Sequence, residues 1–526
     1  MYTQALFSGT RTRERFLSRV AAPIALLATF VSLLFAMGCG SSSSTKPFPV
    51  AGSFSNASLS GQYAFVLSGT RVITTDGVQL QTNYQEAGVF SANGNGSITA
   101  GGEDVHVSGV FPGLTSAAIT GTYSIGQDGN GQVTLNVAGG VETWAITMVS
   151  SSKFYLADID ASVNFSANAA GEGEQQDTTV LSSIPSGSFA FLVHQLLPAP
   201  PSSAIVGQFT AAAGSAVGQV DTLQNGSLSS SAQALSATLA SLDASGRGRL
   251  IVSINGVSST FNYYIVNATN LLLLETDDNV LGLGRAEAQS LPLSATALSG
   301  AYAFGTRGDT SNNVAGINTV GTFTVTGTSL SGTYDSNRDG TTTAQQAVTG
   351  TISTFDPTTG RAAMNLTPSG GGNPIQEVWY LVNPTRAFSL VFYPNLPATT
   401  EDGVIDQQTG NPFSNSSLKG QYAFLMDGFV TKGLLTQVGT FIPDGNGNLN
   451  VNQSTNLYTT PPVIGSASAT VTQPVYVKGA TYMVSSGGRT TANTSDLVLY
   501  IVSPAKAYVL QGAVGLQMFG PLEVQH

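Results

Sequence analysis

The sequence predicts an all-β chain of four tandem antiparallel modules, each a small eight-stranded meander barrel. Three observations carry this reading. A set of signatures recurs four times in the same order. The segments between turns alternate apolar and polar residues. The turns are rich in Asn-Gly and Asp-Gly pairs, which tolerate the positive φ angles of tight hairpins.

The repeats are legible at their openings. They begin Ser60-Gly61-Gln62-Tyr63-Ala64-Phe65, Ser186-Gly187-Ser188-Phe189-Ala190-Phe191, Ser299-Gly300-Ala301-Tyr302-Ala303-Phe304 and Lys419-Gly420-Gln421-Tyr422-Ala423-Phe424. Their aromatic leads stand 126, 113 and 120 residues apart. A Gly-x-Phe follows in each unit: Gly88/Phe90, Gly207/Phe209, Gly321/Phe323 and Gly439/Phe441. Each unit closes on a hairpin, spanning Trp144 to Leu156, Tyr263 to Leu274, Trp379 to Leu390 and Leu499 to Leu510. The modules so defined are 57–177, 178–290, 291–410 and 411–526.

Within a unit, Val133, Leu135 and Val137 alternate with polar residues, as do Leu250, Val252 and Ile254. Period two places alternate side chains on a buried and a wet face. Turns are marked by Asn93-Gly94-Asn95-Gly96, Asp128-Gly129-Asn130-Gly131, Ser245-Gly246-Arg247-Gly248 and Asp444-Gly445-Asn446-Gly447. In Ser229 to Ser241, Leu235 and Leu239 fit one helical face, but the aligned segments are strand-like, so it reads as strand and loop. About eight strands joined by hairpins favour a closed meander, because closure removes edges. The alternative is an immunoglobulin-like sandwich, which needs crossovers between sheets. Gly282 to Gln289 and Gly403 to Gln408 are the stretches expected to close on the opening strands. Phe388, with its counterparts Tyr155, Leu272 and Tyr508, is expected inside its own module, so that each module melts alone. Gly171 to Ser183, Leu291 to Thr296 and Thr409 to Ser417 read as loose connectors.

The N-terminus has its own logic. Arg11, Arg13, Arg15 and Arg19 precede an apolar run of 16 residues, Val20 to Phe35, and then Ala36-Met37-Gly38-Cys39. The run is short for a membrane-spanning helix, which needs about 20 residues. Basic flank, short apolar run and small-residue site form a signal-peptide pattern. Cys39 is the single cysteine of the chain. The segment resembles the lipobox of bacterial lipoproteins, departing from it in having Ala36 where Leu is usual. The resemblance implies removal of residues 1–38, acylation of Cys39 and anchoring by lipid, with 39–56 as a flexible polar leash. Gly40, where Asp would signal inner-membrane retention, points to the outer membrane. The whole chain resembles β-rich tandem-repeat surface lipoproteins of bacteria.

Without residues 1–38, the chain's 19 basic and 30 acidic residues become 15 and 29, a net charge of −14. That charge argues against nucleic-acid binding and against electrostatic adsorption to anionic lipid. Few motifs suggest chemistry. Asp335-Ser336-Asn337-Arg338-Asp339-Gly340 matches the first half of a calcium loop, making Asp335, Asn337 and Asp339 a weak candidate site. Its twelfth position is Gln346 instead of Glu, and Asp104 and Asp221 align near Asp335 without the other ligands. His106, His194 and His526 fall in different modules or at the terminus. Asp158/Asp160 and Asp277/Asp278 read as solvated loop acids rather than a glycosidase pair. Trp144 and Trp379 suit a glycan platform, but Tyr and Leu replace them in the other units, as core positions allow.

No catalytic residues and no cofactor emerge. The function expected is that of a membrane-anchored envelope lipoprotein with a non-enzymatic binding, adhesion or spacer role, its partners the membrane through lipid and a glycan or envelope protein. A structural envelope-complex component is the alternative, and a secreted polysaccharide-active hydrolase is the least favoured reading.

Overall fold

Each module's opening strand pairs on both sides, and this closes the module. In the computed structural model the described residues are 54–526, apart from 76–77, 109, 161–166, 197–201, 225, 230–231, 278–279, 295, 311–315, 397–398, 431–432, 460–468, 494–496 and 514–515. Cys39 and the residues before it lie outside them. Ser60–Thr75 pairs with Val78–Asn93 and with the last strand of its module, Ala167–Gln175. Gly187–Leu196 pairs likewise with Ser203–Ala212 and Leu281–Ala288. Gly300–Thr310 pairs with Gly316–Thr326 and Thr399–Gln407. Tyr422–Val430 pairs with Gly433–Pro443 and Leu516–Val524. The chain is thus four closed antiparallel eight-stranded barrels in tandem, 1 to 4 in chain order, and not a set of sandwiches. The first two carry a short additional strand, Val110–Ala118 and Ser227–Leu228. Ser229 to Ser241 contributes the strand Gln233–Leu239, with Leu235 and Leu239 buried.

The repeated signatures are lumen packing. Tyr63, Phe189 and Tyr302 stack on the Phe of Gly-x-Phe, at ring-centroid distances of 5.7, 5.4 and 5.7 Å from Phe90, Phe209 and Phe323. The Gly of the motif lies beneath the second aromatic of the opening strand. A Cβ at Gly88, Gly207 or Gly321 would come within 2.6, 2.8 or 2.5 Å of Phe65, Phe191 or Phe304. Only a residue without a side chain fits there. Trp144 and Trp379 are fully buried in the lumens of barrels 1 and 3. They share a strand but not a position: Trp144 pairs with Asp158, whereas Trp379 pairs with Ser389. Tight turns follow from the Asp/Asn-Gly chemistry. Asp444 Oδ1 accepts the backbone N–H groups of Asn446 and Asn448 at 2.7 and 3.0 Å, and Gly445 and Gly447 have φ of +82° and +105°.

The closing hairpins depart from expectation. Phe388 is fully buried, but on the outside of barrel 3, where it packs with Tyr380 and Leu390 against Ala190, Ala204 and Val206 of barrel 2. Leu272 and Tyr264 of barrel 2 meet Ala64, Val66 and Val89 of barrel 1. Tyr508 and Tyr500 of barrel 4 meet Ala303 and Val320 of barrel 3. Tyr155 and Ala157 of barrel 1 meet Ala423, Leu425 and Val438 of barrel 4. The physical reason is that these hairpins are apolar on both faces, one for the lumen and one for a neighbour. An uninterrupted apolar strand is buried on both sides.

The four contacts are one contact repeated. In each, the opening strands of one barrel receive the closing hairpin of the next, and the last barrel receives the first. A head-to-tail contact that returns to its start makes a closed ring. The backbone latches repeat as well. Gln176, Gln289, Gln408 and Gln525 each donate Nε2 to a carbonyl of the next closing hairpin: Ile265, Leu381, Ile501 and Met148, at 2.5, 2.6, 2.6 and 2.5 Å. Of the stretches read as loose connectors, Gly171 to Gln175 belongs to the closing strand Ala167–Gln175, and the rest are tied down by backbone bonds from Asp177 to Val266, Leu293 to Pro357 and Thr409 to Val502, with Leu293 and Phe413 buried.

Buried ion pairs hold three of the four joints. Arg247 bonds Asp104 at 2.6 and 2.9 Å, Arg361 bonds Asp221 at 2.7 and 2.7 Å, and Arg489 bonds Asp335 at 2.8 and 2.7 Å. Tyr264, Tyr380 and Tyr500 donate their hydroxyls to the same carboxylates. At the joint between barrels 4 and 1 the corresponding residues are Asn130, Thr147 and Ser454, which carry no charge.

Candidate functional site

The outer face of each opening strand that is not spent on a joint turns toward the axis of the ring. Because side chains alternate, Val66, Leu192, Gly305 and Leu425 form one tier, Ser68, His194, Arg307 and Asp427 the next, and Thr70, Leu196, Asp309 and Phe429 a third. A cavity of about 310 Å³ lies against the second and third tiers and takes residues from all four barrels. A second, of about 280 Å³, lies against the first and second. Ser68, His194, Arg307 and Asp427 line both and form a collar of four different chemistries at four equivalent positions.

Three of the four collar residues have charged partners, His194 outside the collar and Arg307 and Asp427 in each other. His194 Nδ1 lies 2.6 Å from Asp402 Oδ1. Burial alone would lower the imidazole's pKa, but the charge and hydrogen bond of Asp402 outweigh it and raise the pKa. Arg307 stands 3.6 Å from Asp427, with 43% and 34% of the side chains exposed, so this pair contributes little stability and leaves both groups available to a ligand. The first cavity is also walled by Asn83, Asn168, Ser202, Asn318 and Thr436, with the half-buried rings of Phe429 and Phe519. Asn168 is fixed in place, donating to the Asn456 carbonyl at 2.8 Å and accepting from Thr436 at 2.7 Å.

The second cavity is walled by a cycle of ion pairs across the joints. Lys153 lies 3.1 Å from Glu523 and 3.4 Å from Glu172. Arg285 lies 2.8 Å from Glu172 and 2.9 Å from Glu174. Arg386 lies 2.6 Å from Glu287 and 2.9 Å from Asp406, and Lys506 lies 2.7 Å from Asp406. Burial would raise the Glu287 carboxyl, but Arg386 and Arg285 hold it down at about 2. Burial is likewise outweighed at Glu523 by Lys153 and Lys506, again to about 2. A depressed carboxyl contributes stability above its unfolded pKa and loses it as pH falls through the folded one. We therefore expect melting temperature to fall progressively from about pH 4.5 to about pH 2, between the ordinary and the folded pKa. Thermal melts across that range should show a shallower fall in Glu287→Gln than in the native chain.

The residues singled out in the sequence are dispersed. Asp335 is held by Arg489, Asn337 donates to the Leu516 carbonyl at 3.0 Å, and Asp339 accepts from Thr310 at 2.7 Å. His106 meets the Glu275 carbonyl at 3.0 Å, between barrels 1 and 2, and His526 is exposed at the end of barrel 4. Asp158 and Asp160 are not solvated loop acids: both are buried, and Asp158 accepts the Tyr84 hydroxyl at 2.7 Å inside barrel 1. Asp158 pairs with Trp144 in register, so it shares Trp144's lumenal face. Asp277 accepts the Thr260 N–H at 2.8 Å, and Asp278 lies outside the described residues. The collar was missed, although a signal exists. Its members are the fifth residues after the four aromatic leads, where the repeat changes chemistry in every unit.

No family model matches the chain, and no curated protein matches it. Solved structures resembling it include two mutants of transferrin binding protein B from Haemophilus parasuis. One shows 11% identity and a TM-score of 0.18, covering 71% of this chain and 83% of that one. The other shows 9% identity and a TM-score of 0.17, covering 73% and 86%. Intact Ap-TbpB, with N and C lobes, shows 9% identity and a TM-score of 0.18 over 92% and 98%. At such TM-scores the likeness carries no argument about this chain.

Proposed function

We propose that the chain is a lipid-anchored envelope protein whose ring of barrels is a non-enzymatic binding scaffold, receiving the end of a glycan in the axial cavity. The observation that carries the reading is the cavity itself. Four barrels converge on about 310 Å³, near the lower bound of small-molecule sites. Its walls combine hydroxyls, amides, the imidazole of His194, the guanidinium of Arg307 and the carboxylates of Asp309 and Asp427 with two aromatic rings. Hydroxyls and amides suit the hydrogen bonding of a sugar, and the ring faces suit its C–H surface. The test is calorimetry of the full chain against a panel of envelope oligosaccharides, with Arg307→Ala and Asp427→Asn as variants at the collar. Saccharide binding that both variants weaken supports the reading. Binding that neither variant changes places the site elsewhere, and no binding across the panel rejects a glycan ligand.

Anchoring rests on the lipobox resemblance at Cys39. Cys39→Ser should release the protein from the membrane fraction, as read by sedimentation after a salt wash. Retention of that variant in the membrane pellet would contradict acylation. On a sucrose gradient the native protein should travel with the outer membrane, in keeping with Gly40.

A further inference from the structure

We propose that the lumen of barrel 1, apart from the axial cavity, binds one dehydrated calcium-type divalent cation through the carboxylates of Glu86, Glu103 and Glu142. Strand register places all three inside: Glu86 is opposite Leu67 and Val105, Glu103 is opposite Gly88, and Glu142 is opposite Leu135. They are 0%, 1% and 5% exposed. A carboxylate oxygen from each lies within 4.8 Å of the others. Calcium takes oxygen ligands at about 2.3–2.6 Å, so ligands on opposite sides of it stand about 4.8 Å apart.

A cluster of acids alone would prove nothing, but these acids are left incomplete. No donor group reaches either oxygen of the fully buried Glu86, whose hydrogen-bonding neighbour is the Glu103 carboxyl, and one oxygen each of Glu103 and Glu142 also lacks a donor. Beside this cluster one oxygen of buried Asp160 is also unpartnered, but four other lumenal acids are satisfied by their own barrels. Asp158 accepts from Tyr84 at 2.7 Å, Glu275 from Gln195 at 2.7 Å, Glu377 from Trp379 at 2.7 Å and Glu401 from Tyr393 at 2.6 Å. Nor does the fold require acids at these positions. Register puts Ile205, Val220 and Ser259 there in barrel 2, and Thr319, Tyr334 and Ile375 in barrel 3. Burying an unpaired carboxylate is costly unless a proton or a cation neutralises it. Burial pushes all three carboxyls upward; repulsion within the cluster adds to this at Glu86 and Glu142, a hydrogen bond with Glu86 works against it at Glu103, and Arg71 pulls all three down. One divalent cation offsets two of the three glutamate charges, with the Arg71 guanidinium near the third, in a lumen that also holds the buried carboxyls of Asp158 and Asp160. An enclosed all-carboxylate site suits calcium over magnesium, which keeps several waters.

The test uses the full chain stripped by chelator and titrated with calcium chloride, followed by calorimetry and thermal melting. Terbium emission, excited through Trp144 and Tyr84 in the same lumen, gives a second readout. One calcium per chain is expected, with a rise in melting temperature and sensitised terbium emission. Glu86→Gln should melt higher than the metal-free native chain, because it removes an unpartnered buried charge. The same variant should weaken calcium binding about a hundredfold or more, since ligand charge count tunes such sites over that range. Glu377→Gln, in barrel 3, should bind as the native chain does. The proposal is overturned if millimolar calcium gives neither heat nor a melting shift, if Glu86→Gln binds like the native chain, or if magnesium binds more tightly. It is equally overturned if binding is lost in Asp339→Asn and kept in Glu86→Gln, which would move the site to the strand end and turn at 335–340.

Discussion

Phe388→Ala should destabilise the whole ring, not barrel 3 alone. The ring of Phe388 is fully buried between barrels 2 and 3, and the Arg386 guanidinium lies 5.7 Å from its centroid. Truncating a buried Phe costs about 3–5 kcal/mol through lost transfer energy and the cavity left behind. A domain commonly has only about 5–15 kcal/mol to lose. Because each barrel buries an outer face on two neighbours, scanning calorimetry should show the main transition moving down as one. Early melting confined to barrel 3 would mean that the joints contribute little and each lumen is the unit of stability. Tyr155, Leu272 and Tyr508 hold the corresponding places at the other joints and should give effects of the same kind.

Arg361→Met should be comparably damaging, for an electrostatic reason. Asp221 is fully buried, and its carboxylate is held by Arg361 and by Tyr380. Removing one partner of a buried pair leaves an uncompensated charge and costs about 3–5 kcal/mol. Replacing both partners with apolar residues is often near neutral by comparison. Urea unfolding should therefore show Arg361→Met strongly destabilised and the double variant Asp221→Leu/Arg361→Met substantially recovered. Equal losses in the single and double variants would mean that the pair is not what holds the joint. The joint between barrels 4 and 1 lacks such a pair, so Asn130→Ala should cost much less.

The barrel was readable because its determinants are local. Aromatic leads, Gly-x-Phe and Asn-Gly or Asp-Gly turns all act within one repeat, and the closing strands sit where Gly282 to Gln289 and Gly403 to Gln408 led us to expect them. The ring was not readable because its determinants lie in neighbouring repeats. Asp104, Asp221 and Asp335 aligned, but their arginine partners stand 143, 140 and 154 residues away, and Arg247 had been read as part of a turn. The sign that was overlooked is the run Val378-Trp379-Tyr380-Leu381-Val382, which is apolar without alternation. One face of that run fills the lumen with Trp379 and Leu381, and the other meets barrel 2 with Tyr380 and Val382. Asp158 was misjudged because it ends a strand. Counting in twos from Leu156 puts it inside, beside the acids of barrel 1.

The central claim is that the last barrel closes on the first. Lys153 of barrel 1 and Glu523 of barrel 4 are 370 residues apart in sequence, with their charged atoms 3.1 Å apart. Lys506 and Asp406, 2.7 Å apart, join barrels 4 and 3 whether or not the ring is closed. Zero-length carbodiimide crosslinking of the monomer at high dilution, read by peptide mass spectrometry, compares the two directly. A closed ring gives both the Lys153–Glu523 and the Lys506–Asp406 isopeptides. Lys506–Asp406 without Lys153–Glu523 would mean an open string of barrels, with no axial cavity to bind anything.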